Sequence, residues 1–271
     1  MNNKLRISAL VLFSLIISLV FLMFIELMLL FFLPKHYDRL SDILRIIEQD
    51  SVLIWKQKPN LNTDFQNQNV KTNSFGFRTH EIKSKNKARI ICLGASPTFG
   101  WGVKYEDTYP VVIENELKNK NIEIESINAG EIGYSSYQGL KLLKTTILAL
   151  KPDIITVSYV INDVDKYRFF RSSSQRDSQL YPLSKWLVNT YNVVYQSNLF
   201  NFINNISLKI KSNKSKYYGN KYNNQYNGNR RVSIDEYEDN LNSIINIAQE
   251  HNIKVVFIVM PVNLPVKRML T

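Results

Sequence analysis

Three short segments of this 271-residue chain carry the side chains that can do chemistry. "GASPTFG" (94–100) presents one serine, Ser96, where an apolar run breaks into a turn. "NAGEIGYSS" (128–136) carries Gly133, and "VINDVD" (160–165) carries Asn162 and Asp163. A serine hydroxyl at a strand-to-loop turn can attack an ester carbonyl when nearby donors stabilise the charge that develops on oxygen. Each residue also has an ordinary structural use, because serine favours helix N-caps and turns, and Asn-Asp favours the turn after a strand.

The elements that must position these residues are legible as hydrophobic patterns. Apolar runs at 89–94, 122–128 and 153–160 precede the three segments, and stretches of helical periodicity, "YPVVIENELKNK" and "YQGLKLLKTTILALK", separate them. A fourth run, "KVVFIVMP" at 254–261, follows "SIDEYEDNLNSIINIAQEH", in which Ser233 and Glu236 have capping-box spacing. Strands alternating with helices predict an α/β fold with a mostly parallel sheet covered on both faces. Ligands of such sheets bind beyond the carboxyl ends of the strands, so the three segments are expected to face one crevice.

In these residues the chain resembles the SGNH, or GDSL-type, hydrolases, a family of esterases, lipases and carbohydrate deacetylases. Gly94, Ser96 and Gly100 match the first block, with Ala95 in the place of its aspartate. Gly133 matches the glycine of the second, and Asn162 with Asp163 match the third, although Val160 stands where that block has glycine. "NSFGFRTHEI" (73–82) is similar to a segment that precedes the first strand in membrane-anchored bacterial members, and the resemblance spans roughly residues 73 to 265. It implies a flavodoxin-like three-layer fold. Ser96 is then the nucleophile, and the backbone N–H groups of Ser96 and Gly133 with the Asn162 side-chain amide form the oxyanion hole. Gly94 and Asp163 support the site. Family members take their catalytic histidine and its aspartate from an Asp-x-x-His block after the fourth strand, and this sequence contains none. Of the three histidines, His36 adjoins an apolar span, His80 lies in an irregular lead-in, and His251 precedes the fourth strand, roughly 20 Å from the crevice at about 3.3 Å per strand residue. The expectation is an incomplete domain without its last strand, helix and histidine block, weakly active or inactive as a hydrolase. The alternative is a non-catalytic protein that binds or assembles cell-surface polysaccharide.

The rest of the chain bounds the setting. Residues 7–33 form an apolar run, interrupted only by Glu26, long enough to cross a hydrocarbon core of roughly 30 Å. The expected organisation is a transmembrane anchor at 7–33, a connector helix and extended lead-in at 34–87, and the α/β domain at 88–271 with an insertion at about 166–232. The short N-terminus places the head in the cytoplasm and the domain outside it. The net charge of +11 is spread as single lysines among Asn and Tyr, which points away from nucleic acid. The expected partners are the lipid bilayer and an acylated small molecule or cell-surface carbohydrate. Tyr and Lys interleave at 211–231, where a solvated loop is the expectation and polymer contact the alternative. Cys92, the single cysteine, is expected as buried packing, and no metal or cofactor is implied.

Overall fold

The computed structural model describes residues 3–32, 39–165, 168–170, 175–195, 197–200, 202–203, 206 and 230–259. They fall into two units, one from the described parts of Met1–Leu44 and Trp186–Gln225, the other from those of Arg45–Lys185 and Tyr226–Thr271. His36, most of the Tyr/Lys-rich segment and the residues after 259 lie outside the described residues.

In the first unit, helix α1 (Asn3–Phe32) contains a stretch long and apolar enough to cross a membrane. That stretch, Arg6–Leu29, has a mean hydropathy of 2.8 and spans about 36 Å at 1.5 Å per residue. Helix α7 (Lys185–Val194), from Trp186 onward, and a turn at Asn198–Phe200 also belong to this unit.

The second unit is built on strands β5 (Ala88–Gly94), β6 (Ile124–Gly130), β7 (Ile154–Ser158) and β8 (Lys254–Phe257), all parallel, in the order β6-β5-β7-β8. The α/β class expected from the alternating patterns is the one observed. The core follows from strand alternation: Ile90 and Cys92 of β5 pack with Ile124 against Tyr109, Ile113 and Leu117 of helix α4 (Tyr109–Asn119), and Ile91 and Leu93 point to the other face. Cys92 is a buried free thiol.

Helix α8 (Ile234–Glu250) begins at the expected capping box, with Ser233 Oγ accepting from the Glu236 N–H and Glu236 accepting from the Ser233 N–H. It buries Ile244 and Ala248. The stretch expected as one helix after the second segment is α5 (Ser136–Leu142) followed by a wider π-type turn over Leu143–Ile147 and a 3₁₀ turn at Leu148–Leu150.

The region read as an extended lead-in is more ordered than its polarity suggests. Helix α2 (Arg39–Ile46) leads into a hairpin of β1 (Ile47–Asp50) and β2 (Ile54–Gln57), whose turn is held by Asp50 Oδ1 accepting from the Val52 and Leu53 N–H groups, each at 2.8 Å. A second hairpin joins β3 (Asn62–Phe65) and β4 (Gln68–Lys71) through Gln66 and Asn67, both at positive φ. Such a two-residue turn matches the twist of its strands, but asparagine and glutamine without glycine or β-branched neighbours give a weak sequence signal.

Candidate active site

In the order β6-β5-β7-β8 the chain leaves β5 for β6 on one side and returns to β7 on the other, so the topological switch point lies between β5 and β7. That is where an open parallel sheet leaves a crevice at its carboxyl edge. Gly94, the last residue of β5, is in register with Gly130 of β6 and Ser158 of β7, and the Glu131 N–H donates to Gly94 O at 3.0 Å. All three segments therefore leave the sheet at one edge, as expected. A cavity of about 260 Å³ opens there, lined by Ala95 and Pro97 after β5, by residues 158–161 after β7, and by Tyr237, Leu241 and Phe257.

Ser96 is the first residue of a single helical turn, α3 (Ser96–Phe99), with Ala95 as the extended residue before it, and it is half-buried beside exposed Pro97. The turn sits across the strand tips because Gly94 and Gly130 have no side chains. A Cβ on Gly94 would stand 1.9 Å from Thr98 Oγ1, and one on Gly130 would stand 2.3 Å from the Phe99 nitrogen. Gly94 and, from the facing strand, Gly130 thus leave room for the turn that begins at Ser96, and the sequence motifs do not single out Gly130. Two facing glycines at the ends of adjacent strands are the signal that could have found it.

Gly133 is buried at φ +77°, in the left-handed region where glycine carries no Cβ penalty, and Phe169 packs where a Cβ would project. Its loop is held at every carbonyl. Gly130 O accepts from Gln57 Nε2 (2.8 Å), Glu131 O from the Tyr134 N–H (3.3 Å), and Ile132 O from Trp55 Nε1 (2.8 Å). Gly133 O accepts from Arg231 Nη1 (2.7 Å) and Tyr134 O from Asn162 Nδ2 (2.9 Å). Fixing the carbonyls fixes the peptide planes, and with them the direction of each N–H. Asn162, half-buried in the turn α6 (Ile161–Val164), spends one amide hydrogen on Tyr134 O and has a second to donate.

Asp163 is buried and faces α5: its Oδ1 accepts from the Ser136 N–H at 2.8 Å and from Ser136 Oγ at 2.5 Å, and Asn240 Nδ2 donates to that hydroxyl at 3.0 Å. Burial pushes its carboxyl up to about 6 against the pull of these hydrogen bonds. The structure therefore gives Asp163 the task of tying the third loop to the start of α5. Glu131 is also buried, and burial pushes it up to about 8 although the Gln57 N–H donates to it at 2.9 Å.

The insertion contributes through its ends. Arg231 donates to Gln138 Oε1 (2.5 Å) and Asp177 Oδ2 (2.8 Å), and its guanidinium lies 5.0 Å from the centre of the Trp55 ring. Asp177 also accepts from Arg168 Nε (2.5 Å) and Ser135 Oγ (2.7 Å). Burial would raise its carboxyl, but the two guanidinium groups hold it below the ordinary value. None of Arg231, Asp177, Trp55 or Gln57 stands out in the sequence, since each lies in a segment without periodicity.

The histidines fall elsewhere. His80 packs edge-on against Tyr105, 5.4 Å between ring centres, in a second cavity with Gln68, Lys71 and Glu106. His251 caps the C-terminus of α8 just before β8 begins, at the amino edge of the sheet. Among the described residues no side chain hydrogen-bonds Ser96 Oγ, and no group of three or more His, Cys, Asp or Glu residues is placed to hold a metal ion.

No family model and no curated protein matches the chain. Among solved structures it is similar to TesA, with a TM-score of 0.38 and 12% identity over 64% of this chain and 61% of that one. It is similar to the acetyl xylan esterase AlAXEase, with a TM-score of 0.35 and 18% identity over 62% of this chain and 56% of that one. A third is AlinE4, an SGNH-hydrolase family esterase, with a TM-score of 0.30 and 17% identity over 69% of this chain and 93% of that one. The chain thus matches about three-fifths of the length of the first two.

Proposed function

We propose that the chain is a membrane-tethered serine ester hydrolase of the SGNH type, an esterase or carbohydrate O-deacetylase. The observation that carries this reading is the apolar cavity at the switch point, whose walls are the residues flanking Ser96 on one side and the residues running up to Asn162 on the other. In it the acyl group of a small molecule or cell-surface carbohydrate lies against Val157, Val160 and Phe257. Ser96 Oγ attacks the carbonyl carbon, and the oxyanion that forms accepts from the N–H groups of Ser96 and Gly133 and from Asn162 Nδ2. Each such donor is worth about 100- to 1000-fold in rate. Collapse of the tetrahedral intermediate expels the alcohol and leaves an ester on Ser96, which water then cleaves. With both described histidines away from the cavity, Ser96 Oγ gives its proton to water, so acylation by this chain is slow. The domain carrying the site stands outside the cytoplasm, with the short N-terminus inside.

The test is mass spectrometry of the full chain in detergent after treatment with an alkyl fluorophosphonate. Addition of one phosphonyl group to Ser96, absent in Ser96→Ala, is the expected result. A folded protein left unmodified at Ser96 overturns the reading.

A further inference from the structure

A charge within an apolar span is costly unless it finds partners, and Glu26 has three. Its carboxylate accepts from Ser197 Oγ and the Leu199 N–H, each at 3.0 Å, and from the Asn198 N–H. These groups belong to the turn that directly follows α7, where the Ser197 N–H donates to Val194 O. Glu26 stands three residues before the end of the apolar stretch at Leu29, about 4.5 Å along the helix axis. The turn after α7 is therefore held at the depth where hydrocarbon gives way to headgroups, provided α1 spans the bilayer.

At that depth α7 presents an exposed side that carries four large apolar residues. Trp186 and Val193, seven residues apart and so on one side of the helix, are 71% and 69% exposed. Leu187 and Tyr191, roughly 100–140° round the helix from Trp186, widen the exposed side, which also carries Asn189 and Thr190, whereas half-buried Asn192 and buried Val188 lie on the other side. Tryptophan and tyrosine on the exposed side of a short helix suit a membrane interface. The sequence after it supplies the complementary charge for anionic headgroups, with Lys209, Lys211, Lys214, Lys216 and Lys221 close together and no acidic residue among them.

We propose that α7 is a second membrane-contact element, lying in the interface with Trp186, Leu187, Tyr191 and Val193 among the lipids, and that Glu26 pins it to the end of α1. The inference rests on α1 being a span. The insertion then fastens the chain to the membrane at a second point, independently of whether Ser96 is a nucleophile.

The experiment uses the full chain in vesicles of equal parts phosphatidylcholine and phosphatidylglycerol, with nitroxide labels on Val193→Cys, Ser14→Cys and, as an aqueous reference, exposed Lys118→Cys at the end of α4. Cys92 is buried and stays unlabelled. The Val193 label is expected to collide with oxygen several-fold more than the Lys118 label and correspondingly less with a water-soluble nickel chelate. Glu26→Leu is expected to move the Val193 label toward water, and Glu26→Gln, which keeps one acceptor oxygen, to leave it largely in lipid. A Val193 label open to the chelate overturns the proposal, and one shielded from both reagents overturns it in favour of a protein partner. Unchanged depth in Glu26→Leu overturns the role of Glu26. The Ser14 label separates the two failures: in lipid, it leaves the span standing while α7 is refuted, and in water it refutes the span itself.

Discussion

On the β6 side of the switch point every carbonyl from Gly130 to Tyr134 is held, and the side chains that do most of the holding, Trp55, Gln57 and Arg231, are buried. On the β8 side the cavity wall is apolar and open, with Phe257 43% and Val259 90% exposed. The two sides differ in what they can contribute. A loop locked by backbone hydrogen bonds supplies donors whose direction costs nothing to set at the moment of reaction. An apolar, solvent-facing wall supplies shape and desolvation for an acyl chain and little rigidity. Substitutions on the β6 side should therefore act strongly on stability, and those on the β8 side should act on ligand fit.

The largest effect is expected at Arg231. Arg231→Ala leaves Gly133 O without its donor, Gln138 Oε1 with only the Ser135 N–H, and Asp177 with Arg168 as its remaining guanidinium partner. Removing one member of a buried charged cluster costs about 3–5 kcal/mol, readable as a lower urea midpoint in detergent. Because Gly133 O is released, phosphonylation of Ser96 should also slow. Arg231→Lys, which keeps charge but loses the fork of donors, should fall between. Loss of less than about 1 kcal/mol would show that the insertion ends do not hold the loop.

Next is Glu131. Its folded-state value of about 8 lies above the ordinary 4.5. The folded state thus keeps the proton, the associated stability is full below about pH 4.5, and it is lost as pH rises through about 8. The slope is at most about 1.4 kcal/mol per pH unit. Glu131→Gln, a neutral acceptor for the Gln57 N–H, should flatten this dependence and raise stability at pH 8 by up to about 4 kcal/mol. Parallel stability profiles for the two proteins would mean that Glu131 is ionised in the fold.

What could be read beforehand follows from which forces leave a local trace. Strand and helix patterns at 89–94, 109–120 and 234–250 report burial of one face, and they gave the sheet, its helices and the shared edge of Ser96, Gly133 and Asn162. The clamps on that edge are long-range and polar: Gln57 reaches Gly130 across 73 residues and Arg231 reaches Gly133 across 98. A single polar side chain pairing with a distant carbonyl imposes no period on its neighbours. The lead-in therefore read as irregular although its hairpin carries Trp55 and Gln57 into the site.

Gly130→Ala is expected to cost about 2 kcal/mol, within the range for overpacking a tight contact. Its Cβ would meet the Phe99 nitrogen at 2.3 Å and the Thr98 carbonyl carbon at 2.6 Å. Both are backbone atoms, so no side-chain rotation relieves the clash, and α3 must lift away from the strand tips. A thermal shift measured beside Gly102→Ala, where nothing lies within 4 Å of the added carbon, isolates that contact. Gly102 is itself at φ +75°, so its variant reports backbone strain without the clash.

The smallest effect on stability, about 1 kcal/mol, is expected for Phe257→Ser, because only part of the ring is buried in the fold. Its effect should appear in the cavity, where Phe257 faces Ala95 and Pro97 across the space assigned to the acyl group. Phosphonylation of Ser96 by a long-chain reagent should slow relative to a methyl reagent, while the methyl rate holds. Apolar contact strength scales with the area buried, and a methyl group buries almost none against the ring. An equal loss for both reagents would mean that Phe257 supports the fold of the edge rather than the fit of the chain, and the contrast between a rigid polar side and a permissive apolar side would fail at its weaker half.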